Sequence, residues 1–116
     1  MATVSVLEFA AALNALDKDG RRPKGKQLEF LQAHYEAPGR AATATVLAQK
    51  VHYKSFDAIN LQYGILAARI AEYVEPGAHI SLLVDLVRPA SVTNKQWILV
   101  MRPEFANALK RAGWVH

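Results

Sequence analysis

The chain has 116 residues, 52% hydrophobic and 21% charged, a balance that excludes a disordered segment and suits one domain around a single core. It has no cysteine, which excludes disulfides, thiolate-held zinc and a thiol nucleophile. The net charge is +4, and the whole excess lies in "KDGRRPKGK" (18–26), where Lys18, Arg21, Arg22, Lys24 and Lys26 stand against one acid, Asp19.

The first stretch, "MATVSVLEFAAALNAL", is apolar but lacks a basic n-region, and Glu8 interrupts it. It reads as a helix rather than a secretory leader. Ser5 with Glu8 forms a capping box, and Val6, Phe9, Leu13 and Leu16 form an apolar stripe, which predicts a helix over about 5–16. The basic loop follows. It reads either as a phosphate contact through Arg21, Arg22, Lys24 and Lys26 or as a solvated linker. A second helix is expected over about 24–36, with Leu28, Leu31 and Tyr35 on one face. "APGRAATA" (37–44) then breaks the chain at Pro38-Gly39.

Thr45 is expected to cap a short helix over about 45–52, "HYKS" to make a tight turn, and Ser55 to cap a long helix over about 55–75. Phe56, Ile59, Tyr63, Leu66, Ile70 and Val74 mark the core face of that helix, and Pro76-Gly77 ends it. Composition then changes. "HISLLVDLV" (79–87) and "QWILVM" (96–101) read as strands of a hairpin joined by a polar loop, 88–95. "RPEFANALKRAGWV" starts a final helix at Pro103 and closes it near Arg111, with Gly113 just beyond.

The fold class is therefore α+β and mostly helical, a single domain over 1–116. The order short helix, tight turn, long helix, hairpin is that of a winged helix-turn-helix, here with a C-terminal β-hairpin and a final short helix. In that arrangement the second helix of the pair enters the DNA major groove and the hairpin is the wing.

The long helix carries "NLQYG" (60–64) at its centre, where a helix built only to pack would use better helix formers. If the core face is as read, Asn60, Leu61 and Gly64 point away from it. Asn60 then suits a base edge, while Lys54 and Ser55 suit phosphate. Gly64 suits the close approach of another backbone. The structural alternatives are that Asn60 bonds the loop near Thr43–Thr45 and that Gly64 lets the N-terminal helix cross closely. Asp57 opposes phosphate unless Lys54 pairs with it. Tyr63, Trp97 and Trp114 read as core. The candidate nucleic-acid contacts are Arg21, Arg22, Lys24, Lys26, Lys54, Ser55 and Asn60, with Arg88 and Lys95 at the hairpin tip.

"HYEAPGRAATATVLAQKVHYKSFDAINLQYGILAARI" and "LLVDLVRPASVTNKQWILVMRPEFANALKRAGWV" together resemble a bacterial winged-helix-like module of proteins described as HNH endonucleases or as hypothetical proteins. The resemblance spans about residues 26–115 and is most specific at "NLQYG", "MRPE" (101–104) and "GWV" (113–115). In longer relatives a nuclease follows the module. No His-Asn-His constellation with the spacing of that nuclease is present here. The resemblance thus implies a recognition role, with a link to restriction or phage–host defence, and no nuclease chemistry. His52 stands where the module has glycine, which is costly if that turn needs a positive φ.

His34, His52, His79 and His116 have no His or carboxylate partner at a helical metal spacing, and no phosphate loop or nucleophile elbow is present. No enzyme, metal or cofactor is expected. Nor is a membrane span, and a cytoplasmic location fits. The expected partner is nucleic acid, duplex DNA first. The alternative is a protein partner, including a homodimer or a phage-borne inhibitor acting on a host defence complex. A positive face shared by loop 18–26 and the long helix favours DNA. An exposed apolar patch favours protein.

Overall fold

The computed structural model describes residues 4–74, 80–88 and 97–116. Helix α1 (Val6–Lys18) begins at the expected capping box. The Glu8 amide donates to Ser5 Oγ at 3.1 Å, and the Ser5 amide donates to Glu8 Oε1 at 3.2 Å. Helix α2 (Lys26–Glu36) starts two residues later than expected, because Gly25 takes a left-handed φ of 59° that no helical residue adopts.

Strand β1 (Ala41–Thr43), helix α3 (Ala44–Lys50) and helix α4 (Phe56–Val74) follow. The cap of α3 is Thr43, not Thr45. Its hydroxyl accepts from the Val46 amide at 3.3 Å, and Thr45 lies inside the first turn. The turn between α3 and α4 does need a positive φ, 61° at His52, and the Tyr53 amide closes it on Ala48 O at 2.9 Å. A side chain in that region costs on the order of 1 kcal/mol that glycine does not.

After a 3₁₀ turn at Ile80–Leu82, strands β2 (Val84–Val87) and β3 (Ile98–Met101) pair antiparallel, and helix α5 (Pro103–Arg111) ends the fold. The expected hairpin is present, but its strands are shorter than 79–87 and 96–101, and residue 79 and the tip 89–96 lie outside the described residues. The sheet also has a strand that the sequence reading missed. β1 pairs with β3, so the order is β1-β3-β2. The succession α2, β1, α3, α4, β2, β3 is a winged helix-turn-helix arrangement, with α1 and α5 packed on each other beside it.

The core joins all these elements. Phe9 of α1 meets Phe105 of α5 at 5.7 Å between ring centroids, and Phe30 of α2 meets Tyr63 of α4 edge-on at 4.8 Å. Ile59, Tyr63, Leu66 and Ile70 are buried, as the spacing predicts. Phe56 is not. It is 43% exposed, because it opens the helix beyond the reach of the core. Trp114 is buried as expected, but Trp97 is 49% exposed. It precedes β3 and lies under the Arg88 guanidinium, 5.5 Å from its centroid.

His34 is fully buried in that core. His34 contacts the Tyr63 hydroxyl through Nδ1 at 2.6 Å and the Leu99 carbonyl through Nε2 at 2.8 Å. A carbonyl only accepts, so Nε2 carries the hydrogen and Nδ1 accepts from the tyrosine. Both nitrogens are satisfied with the ring neutral, and burial holds its pKa below the ordinary histidine value.

Candidate nucleic-acid interface

Helix α4 presents two sides to its surroundings besides the core. The first is bare. Lys54, Ser55, Asp57, Asn60, Leu61, Gly64 and Ala68 are all exposed. Among the described residues Asn60 has no hydrogen-bond partner, so it does not brace the loop at Thr43–Thr45. A Cβ built on Gly64 meets nothing within 4 Å, so no helix crosses there. The two structural alternatives for "NLQYG" therefore fail, and nothing among the described residues explains either residue. Gln62, by contrast, is structural, since Gln27 of α2 donates to its side-chain oxygen. Lys54 and Asp57 form no ion pair. Among the described residues the Asp57 carboxylate has no cationic partner, and it disfavours phosphate at that point.

The second side faces the basic loop, whose cations are mostly engaged. Arg21 donates to Glu72 at 2.9 Å and reaches the Tyr73 hydroxyl at 3.5 Å, and the bond to Glu72 raises its pKa. Tyr73 in turn donates to Asp19 at 2.6 Å, which raises its own pKa. Arg22 donates to Asp17 at 3.2 Å and to Gly113 O at 3.4 Å, and lies over the Trp114 ring. Lys26 donates to His52 O at 3.0 Å, over the Tyr53 ring. Lys24 is exposed and unpaired among the described residues. The loop is thus a folded part of the molecule rather than a free linker.

Loop and helix together line an open concavity of about 480 Å³, bounded by Gly20, Arg21, Arg22, Lys24, Gln27 and Arg69. Arg69 was not singled out from the sequence. It lies two turns along α4 from Gln62, and that spacing on a helix facing a basic loop was the available signal.

At the wing, Arg88 is exposed and stacked on Trp97, with Leu86 and Val87 also exposed. Lys95 lies outside the described residues. Among the described residues no group of three His, Asp or Glu side chains is placed to hold a metal, and no helix is long and apolar enough to cross a membrane. Comparison with protein-family models, curated proteins and solved structures finds no match.

Proposed function

We propose that the chain is a nucleic-acid-binding winged-helix module that lays α4 in the major groove of duplex DNA. The observation that carries this reading is the bare side of α4. An amide at Asn60 and a glycine at Gly64 sit mid-helix with no packing or hydrogen-bonding role among the described residues. Asn60 matches the donor and acceptor pair of adenine, and the Leu61 side chain matches a thymine methyl. Gly64 lets the helix backbone approach closely, and Lys54 touches phosphate at the helix start. Asp57 suits a base donor such as the cytosine amine better than phosphate. Arg88 extends the contact to the wing. The link to restriction or phage–host defence rests on the resemblance to the HNH-associated module.

Duplex titration at two salt concentrations tests the reading with two variants. Lys54→Ala is expected to weaken all sequences alike and to flatten the salt slope by about one. Asn60→Ala is expected to cost about 1–3 kcal/mol on the preferred sequence and to relax preference at one position. Equal losses on every sequence for both variants would remove base reading by Asn60.

A second reading has its own observation. Phe56 and Leu61 on α4, and Leu86, Val87 and Trp97 at the wing, expose apolar surface that suits a protein partner, a second copy of the chain or a defence complex that it inhibits. Under that reading Leu61→Asp abolishes association while duplex affinity is absent from the outset.

A further inference from the structure

We infer that the concavity between the basic loop and the C-terminal half of α4 is a phosphate-binding subsite, with Arg69 and Lys24 as its free cations and Arg21 and Arg22 as its fixed wall. The loop is shaped at both ends by glycines in the left-handed region, Gly20 at φ 73° and Gly25 at φ 59°. The Arg21 amide closes onto Leu16 O at 2.8 Å, which sets the direction in which the loop leaves α1. Two arginines are then immobilised, Arg21 by Glu72 and Tyr73, and Arg22 by Asp17, Gly113 O and the Trp114 face.

A guanidinium has five N–H donors, and these bonds use only one or two on each arginine. The remaining donors stay available without the entropy cost of ordering a free side chain. Glu72 and Asp17 neutralise the two fixed cations. Lys24 and Arg69 have no acidic partner among the described residues. The lining therefore carries two uncompensated positive charges, and a terminal or free phosphate carries about −1.5 to −2 near neutral pH, a backbone phosphodiester about −1. The charge match is closest to one terminal or free phosphate, and a phosphodiester of the bound strand balances one of the two cations.

The source of that phosphate rests on the function proposed above, whereas the site itself does not. Isotope-labelled protein titrated with inorganic pyrophosphate reads the site alone. The amides of Gly20, Lys24, Gln27 and Arg69 are expected to shift. Lys24→Gln with Arg69→Gln is expected to weaken binding about tenfold or more. Glu72→Gln is expected to tighten it, because it removes the carboxylate beside Arg21. A parallel titration with short duplexes, with and without a 5′-phosphate, reads the source. A gain that depends on the 5′-phosphate assigns a strand end, and a salt slope lowered by one to two in the double variant, roughly one per lost contact, assigns the duplex backbone.

Pyrophosphate shifts that are equal in wild type and double variant, or no shifts at all, overturn the subsite. Wild-type duplex binding in that case leaves the α4 reading standing. Pyrophosphate binding that the double variant loses supports the subsite, and absence of duplex binding beside it overturns the nucleic-acid reading instead. If the double variant fails to fold, Glu72→Gln decides: unchanged pyrophosphate affinity overturns the subsite.

Discussion

Gly64 is an unusual residue to find in the middle of a 19-residue helix. A glycine there costs about 0.5–1 kcal/mol relative to alanine, and the open space around it gives no packing reason to accept that cost. Gly64→Ala should therefore raise stability by about that amount in chemical denaturation, while weakening duplex binding if the helix backbone approaches the groove. A variant less stable than wild type would mean that the methyl meets something the isolated chain does not show. Asn60 and Gly64 were legible as odd from sequence because they break helix propensity. Which of them the fold needs was not legible, since that depends on what stands opposite each side chain. Gln62 sits beside them in the same motif and is tied to Gln27.

At the scale of elements, local chemistry was the most readable layer. The capping box of α1 and the Pro103 start of α5 are where the sequence put them. Ser5→Ala should cost about 0.5–2 kcal/mol by freeing the Glu8 amide, measurable as a lower denaturation midpoint with an unchanged slope. What sequence did not disclose was pairing. β1 is three residues long and has no alternating pattern, so only its register against β3, Ala41 opposite Val100 and Thr43 opposite Ile98, identifies it as a strand. Trp97 was misassigned for a related reason, because an apolar run does not say where the sheet stops. The basic loop was legible as charge but not as geometry. Its two arginines are held by Asp17 and Glu72, acids that lie outside the loop.

For the molecule as a whole, His34 is the polar junction of α2, α4 and β3, and it ties stability to pH. Its folded-state pKa is lowered, so the unfolded chain takes up a proton first as pH falls. The full stability from this group is present above the ordinary histidine value of about 6.5 and is lost progressively below it. Melting temperature should fall between about pH 7 and about pH 5. His34→Gln, which keeps a donor for Leu99 O and an acceptor for Tyr63, should flatten that part of the profile. An unchanged profile would assign the acid sensitivity to other groups. The pairing of α1 with α5 has a consequence of another kind, for the order in which contacts form. α1 packs on both α4 and α5, so α4 covers part of its apolar face and the rest, at Phe9, waits for Phe105, 96 residues further along the chain. Contacts of such sequence separation form late in folding, and the apolar surface left open at Phe9 in the meantime is a point of aggregation risk.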